Sequence, residues 1–535
     1  MKALGGTDRL LIMRPGRLGM DQRRLPRDAS QGPWVRSLLG AALLAMVTGC
    51  MTVGPEYQRP QIDLPDRYAG RSDQIPGRQP DTPSPGSING ASDKSARAAS
   101  PSATRWWLLF GDAQLNTLMN QALARNTDLQ AASARIEEAD ALAREAGAAM
   151  LPAVNLGASG GRLQTKNLLA PNSVLRSNNL QLNALASYEI DFWGRLRRAS
   201  ESARAQALAS REAADVLRLT TTGLIAQAWF SLKALDAQIA LSGSTLAARQ
   251  AQQDLLQLRV AAGTNSALEL EQARIARADA STQLRELQRQ RELAQTLLGR
   301  LAAQPALQIA SAVSGKTDLL ATLPVPPLPP IGLPSELLTR RPDIRQAEQA
   351  LIAANAQIGV ARAAMLPSIS LTASYGAQSS ALASLLNESA RIWSLGFGLS
   401  LPIFDGGRLQ ARVDQASARQ KQALAAYQGA AQTAFREVSD ALISSTAASQ
   451  QEVDLNAKLI ASQRALALAN LRHEAGYSAY LEVLDAQRSL NAAQQDAVRN
   501  RQARLQASVE LFKALSGGWE QITPSRNDRN PSHSN

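Results

Sequence analysis

The stretch LQLNALASYEIDFWGRL, residues 180–196, alternates with period two and then stops. Leu180, Leu182, Ala184, Ala186, Tyr188, Ile190 and Phe192 fall on one face of an extended chain. Gln181, Asn183, Ser187, Glu189 and Asp191 fall on the other, and only Leu185 breaks the pattern. A strand with one apolar and one polar face is expected here. Past it, no proline occurs between Pro171 and Pro305, and the residues are mostly Ala, Leu, Gln, Arg and Glu, so long helices should follow. Residues 195–260 as one helix would reach roughly 100 Å. Within it Leu217, Leu224, Ala228, Leu235, Ile239 and Leu246 recur at spacings of seven and four, the pattern of a coiled-coil seam.

The same succession occurs twice. LPAVNLGAS (151–159) matches LPSISLTAS (366–374), and Asn126-Thr127-Asp128-Leu129 falls opposite Arg341-Pro342-Asp343-Ile344. Further on, DFWGRL (191–196) matches DGGRL (405–409), and LRVAAG (258–263) matches LRHEAG (471–476). A period of about 200 residues is too long for a solenoid and marks a duplicated unit. Each copy reads as a helix, a strand hairpin (about 151–192 and about 366–405, with loops near 162–178 and 377–391) and a helical hairpin (about 195–302 and about 408–515). In the second copy Trp393, Leu395, Phe397, Leu399, Leu401 and Ile403 alternate with Ser394, Gly396, Gly398 and Ser400.

Such hairpins fit a half-exposed sheet of a soluble protein or a wall in lipid. In lipid, strand edges cannot stay open, because each unpaired amide in hydrocarbon costs several kcal/mol. Four strands per chain cannot close, so copies must combine. Two copies give eight strands, an interior filled by side chains, whereas three give twelve and a lumen. Phe192, Trp193 and Phe404 end the strands as interfacial aromatics. Arg195, Arg197, Arg198 and Arg408 follow them and suit lipid phosphates.

Composition narrows the function. With 2 His and 1 Cys in 535 residues, little remains for a metal cluster or a nucleophile pair, and no catalytic constellation is found, so neither enzyme activity nor a cofactor is expected. The one cysteine, Cys50, follows eight basic residues and the apolar run LLGAALLAMV (38–47), too short to span a bilayer but suited to a signal core. Val47-Thr48-Gly49-Cys50 resembles a bacterial lipobox, which implies cleavage before Cys50 and acylation of its thiol. Met51 after it implies sorting to the outer membrane. Losing 1–49 cuts the charge surplus from +12 to seven. Nucleic acid is then not needed to explain the charge, and no localised basic patch with stacking aromatics supports it.

VGPEYQRP (53–60), Trp106-Trp107, Phe110-Gly111-Asp112, YEIDFWGR (188–195), LPIFDGGR (401–408), the two tips and GGW (517–519) together resemble the TolC-like outer-membrane factors, in their lipoprotein branch serving efflux pumps. The resemblance covers nearly all of the chain after Cys50. It implies a mainly α fold with a transmembrane β part: a long coiled-coil α-helical barrel plus a trimeric 12-stranded β-barrel, four strands per protomer, built from two internal repeats. The expected divisions are 1–49 signal peptide, 50–104 lipid-anchored Pro-rich tether, 105–304 first repeat, 305–335 Pro-rich connector, 336–519 second repeat and 520–535 tail. An equatorial belt is expected from about 105–125, 303–340 and the carboxyl end.

The implied partners are two further copies in a homotrimer, outer-membrane lipid, a periplasmic adaptor protein and an inner-membrane efflux transporter. Adaptor docking is expected at Ala262-Gly263-Thr264 and Ala475-Gly476-Tyr477. Glu482 and Asp485, three apart on one helical face, match the family's acidic periplasmic gate; Glu269 is their counterpart in the first copy, with Gln272 where Asp485 stands in the second. Gln181, Asn183, Ser187, Glu189 and Asp191 are expected to line the barrel lumen. Two alternatives remain open at this stage, an exit duct for protein secretion and a lipid-anchored coiled-coil scaffold without a pore.

Overall fold

The computed structural model describes residues 52–63, 65, 67–69, 105–166, 174–309, 324–326 and 337–515. Cys50, the signal segment, the tail and most of the 305–335 connector lie outside them. After a 3-10 turn at Trp106–Phe110 come α1 (Ala113–Arg125), α2 (Thr127–Ala148), β1 (Ala153–Lys166), β2 (Val174–Ile190), α3 (Arg195–Ala261) and α4 (Ala267–Leu301). The second copy gives α5 (Leu337–Arg340), α6 (Pro342–Ala363), β3 (Ser368–Ser379), β4 (Arg391–Ser400), α7 (Arg408–Glu474) and α8 (Tyr480–Leu515). Both long helices are 67 residues, about 100 Å each.

The four strands form one antiparallel sheet in the order β1-β2-β3-β4. The β2–β3 pairing joins the two repeats and leaves β1 and β4 as edges. The first hairpin is longer than expected. Its pairing continues through Arg162↔Asn178 to Lys166↔Val174, residues anticipated as loop. Gly160 and Gly161 weaken the strand without ending it, and the ladder runs through both. Arg176 donates to Gln164 across the pair (2.8 Å).

Packing departs from the expected seam. Of its six residues only Ala228 joins a buried cluster, and Leu224 is 47% exposed in the protomer. The buried stripe of α3 is Ile225, Ala226, Trp229, Phe230, Leu232 and Ala237, set against Trp106, Trp107, Phe110 and Phe512. Aromatic rings bury far more area than a leucine, so they decide which face turns inward. Asp112 fastens this cluster: one carboxylate oxygen accepts from the Gln114 and Leu115 amides as the cap of α1, and the other accepts from Trp229 Nε1 (2.7 Å).

The repeat also conserves a closing contact. Asn126, which caps α2, donates from its amide to the Leu301 carbonyl at the end of α4 (2.9 Å). In the second copy Arg341 stands in Asn126's place and donates to the Ala514 carbonyl at the end of α8 (3.1 Å). Each unit thus ties the start of its 22-residue helix to the end of its last helix, with different side chains.

The expected tether begins instead as a packed strap. The Val53 amide donates to the Trp193 carbonyl (3.0 Å), Asn355 donates to the Pro55 carbonyl (2.8 Å), and Tyr57 and Arg59 bond Glu348 (3.0 and 2.8 Å). Tyr68 is 4% exposed and stacks on Phe435. The strap crosses α6 glycine to glycine: a Cβ on Gly359 would stand 2.7 Å from the Val53 carbonyl oxygen and 2.9 Å from Arg198 Cγ. Alanine in a helix interior is favoured over glycine by about 1 kcal/mol, but this contact is closer than any real Cβ tolerates. Gly359→Ala is therefore expected to lift the strap, so that trypsin cuts the purified protein after Arg67 about fivefold faster. Unchanged cleavage would show that the crossing does not hold the strap.

Candidate conducting path

The register carries the two-faced pattern of 180–190 across the whole sheet. Directly paired residues share a face. Asn183, Gln181, Ser187 and Glu189 stand opposite Gly376, Gln378, Thr372 and Ser370, with Ser374 paired to Ser394 on the same side. The other face stacks Val154, Ala186, Ala373 and Leu395, then Leu156, Ala184, Tyr375 and Trp393. Large apolar groups there are bare in the protomer: Trp393 is 76% and Phe397 80% exposed. Leu185 lies on the polar face opposite Asn155 and Ser374.

Asp191 lies beyond β2 and does not extend the polar row. Its oxygens accept from the Leu196 and Arg197 amides (3.0 and 2.8 Å), capping the start of α3. Asp405 caps α7 in the same way through Gly407 and Leu409 (3.0 and 2.9 Å). Strand parity alone put Asp191 on the lumen side; the signal for its capping role was an acid shortly before a helix start, present in both DFWGRL and DGGRL. Glu189 holds Arg195 through two bonds (2.9 and 2.6 Å). Arg197 pairs with Asp191 (3.3 Å) and Arg198 with Glu201 (2.8 Å). Three of the four arginines expected to meet lipid phosphate are thus already matched within the chain.

At the far end the helical hairpins turn on Gly263 and Gly476, with φ of 71° and 77°, the left-handed region open to glycine. The Thr264 and Tyr477 amides close these turns on the Arg259 and Arg472 carbonyls (2.9 and 2.8 Å). The Thr264 hydroxyl also donates to the Arg259 carbonyl (2.9 Å), whereas in the second tip His473 Nδ1–H donates to the Ser478 carbonyl (3.1 Å). Both tips present bare apolar groups, Leu258 at 71%, Leu471 at 62% and Tyr477 at 81% exposure.

Just behind them the two hairpins meet. Leu256, Leu270 and Ala273 of the first pack with Ala469, Tyr480, Val483 and Leu484 of the second. Glu482 and Asp485 lie on the exposed side of α8. Glu482 reaches Arg472 (3.4 Å), and Asp485 makes no hydrogen bond or ion pair among the described residues. Glu269 is set differently: half-buried on α4, it accepts from Asn265 (2.6 Å).

The structure adds a pair that sequence reasoning missed. Tyr480 and Arg249 are buried beside one another, and among the described residues the Tyr480 hydroxyl and Arg249 Nη1 meet no partner in good hydrogen-bond geometry. Burial raises the Tyr480 pKa, with Arg249 opposing and Glu269 adding to the rise; burial also lowers that of Arg249, and Arg488 lowers it further. An arginine facing inward from a leucine-rich helix has no signature in sequence periodicity.

Comparison with known proteins agrees with this geometry. The family model described as Outer membrane efflux protein matches residues 118–304 and 333–517, one match on each repeat. The chain is similar to Outer membrane protein OprJ of Pseudomonas aeruginosa, 36% identical over 489 residues that cover 90% of this chain and 96% of the relative. It is similar to Cation efflux system protein CusC of Escherichia coli K12, 34% identical over 485 residues covering 90% and 99%. Among solved structures, the open state of the Neisseria gonorrhoeae MtrE outer membrane channel superposes with a TM-score of 0.73 at 31% identity, covering 87% of this chain and 98% of that one. The paired repeats, the two-faced sheet and the long helical hairpins are those of the outer membrane efflux protein family, to which this chain belongs as an outer-membrane efflux channel.

Proposed function

We propose that three copies of this chain close a twelve-stranded barrel in the outer membrane, continued by twelve long helices, as the passive duct of a tripartite efflux assembly. The observation that carries the reading is a four-stranded sheet with one apolar face, one polar face and two unpaired edges. In hydrocarbon those edges must pair, and β1 of one copy with β4 of the next is the pairing available. Eight strands would leave an interior filled by side chains, whereas twelve leave a lumen walled by Gln181, Asn183, Ser187 and their partners.

Cys50 is the lipid attachment point in this reading. Val53 is fixed to Trp193 at the end of the sheet, and three residues of chain reach at most roughly 11 Å. Acyl chains on Cys50 would therefore enter the bilayer that holds the barrel, at about 0.8 kcal/mol per buried methylene. The bare tips receive the adaptor, and an inner-membrane transporter supplies small molecules. Relatives are named for cation, pyoverdine and toluene export. One duct architecture serving such different cargo supports selection by the transporter rather than by the duct.

Glu482 and Asp485, repeated three times, ring the entrance, where their side chains narrow the aperture and Glu482 holds Arg472 across the hairpin turn (3.4 Å). Replacing both with Ala is expected to raise single-channel conductance in planar bilayers several-fold, and conductance equal to wild type would sink the gate assignment. Cys50→Ala is expected to remain in the membrane fraction until detergent is added, because the barrel itself is embedded. Release by salt alone would favour a scaffold without a pore.

A further inference from the structure

Where the sheet meets the long helices, the polar face opens into a recess of about 400 Å³ whose walls include Glu189, Asp191, Arg195, Ser368, Arg408 and Arg412. Both carboxylates in that wall are committed, Glu189 to Arg195 and Asp191 to Arg197 and the first amides of α3. Asp405 is committed to the amides of α7. Arg408 and Arg412 are exposed, and among the described residues their side chains make no hydrogen bond or ion pair.

Two local rules are broken at this place. Arg408 and Arg412 are like charges at i and i+4, which repel. They also occupy the first turns of a 67-residue helix, where the macrodipole already adds positive potential and disfavours a cation. The internal repeat shows what is missing. Aligning Asp191 with Asp405, with a one-residue gap before the shared Gly-Arg-Leu, places Arg195 opposite Arg408, but Glu189, the partner of Arg195, falls opposite Ile403, which is 93% exposed. The second copy keeps the arginine and adds another one turn on, without a carboxylate to meet either. A site that gathers cations against the helix field and withholds their counter-ion is suited to an anion from outside the chain.

We propose that this recess is an anion subsite on the duct wall, taking a phosphate or carboxylate group of a solute in transit, with Arg408 and Arg412 as its donors. The inference rests on the reading that three copies enclose the polar face, which would set six such arginines around the lumen at the foot of the barrel. A fork of guanidinium donors suits an oxyanion better than a halide, so the subsite distinguishes anions by shape as well as by charge.

The test is conductance block of the full-length protein in a neutral phosphatidylcholine bilayer, with inorganic tripolyphosphate added on the side of the barrel mouth. Wild type is expected to be blocked. R408Q/R412Q should need about tenfold more probe for the same block, and R408K/R412K should stay within about threefold of wild type. If R408Q/R412Q fails to assemble, R412Q alone carries the test, with an expected shift of about threefold. Equal block of wild type and the glutamine variants overturns the proposal. Failure of both R408Q/R412Q and R412Q to assemble overturns it too, since the arginines would then pair across subunits. Block that appears only when anionic lipid is present overturns it as well, since the ligand would then be a headgroup. A wild type with no conductance at all would defeat the duct reading itself, a result distinct from all of these.

Discussion

The backbone groups along the outer edges of β1 and β4 govern the rest of the molecule. A sheet of four strands whose apolar face carries Trp393, Leu395, Phe397 and Leu399 calls for a medium with no water, and that medium cannot satisfy an open edge. A soluble sheet would blunt its edges with charge or cover them. Here β4 runs RIWSLGFGLS with one charge, at its start, and among the described residues all but one of its side chains stay exposed. Exposure and open edges make sense together only if β1 of one copy pairs with β4 of another, so assembly is built into the strand sequence.

The long helices inherit their placement from that sheet. Each begins within a few residues of a strand end, and each start is fixed by an aspartate whose two oxygens take the first free amides. A cap of this kind contributes about 1 kcal/mol, little for a helix of 67 residues. Its larger effect is geometric, since it fixes the angle at which a rod of about 100 Å leaves the membrane. Duplication then makes the two copies near-equivalent staves. They keep the contacts that set this frame, with Asn126 and Arg341 binding equivalent carbonyls, and differ at the tips and at the foot of the barrel.

What could be read in the sequence divides along physical lines. The expected helix 195–260 is Arg195–Ala261, because a proline-free, alanine-rich run has one answer whatever surrounds it. Strand faces were equally legible, since the alternation is written in consecutive residues. The seam of α3 was not. Heptad leucines suggested one face, but Trp229 and Phe230 meet Phe110 and Trp106 from more than a hundred residues away, and only the folded chain reveals that partner. The strap was hidden for a related reason. Its prolines indicate extended chain, while its docking depends on Gly54 meeting Gly359 and on Tyr57 and Arg59 meeting Glu348. Asp191 falls under two local rules at once, parity and helix capping, and in the fold its carboxylate serves the start of α3.

The polar contacts between helices are graded along the rod. Towards its middle Arg291 holds Asp236 at 2.6 Å, with side chains 13% and 3% exposed, and Arg341, at the start of α6, holds Glu437 of α7 at 2.7 Å. Separating such pairs strands a charge in the interior, costing about 3–5 kcal/mol, even though the pairs add little to net stability. They act as registers that resist sliding. Behind the tips the arrangement is reversed. Among the described residues the Tyr480 hydroxyl and Arg249 Nη1 are buried without a well-formed hydrogen bond, so parting the hairpins there costs little in bonding and returns both to water. Against this stands the apolar cluster around Leu256, Leu270 and Val483, worth about 1.5–3 kcal/mol per large side chain. The balance between the two is closest at the tips, so the rod can loosen at its end while its middle keeps register.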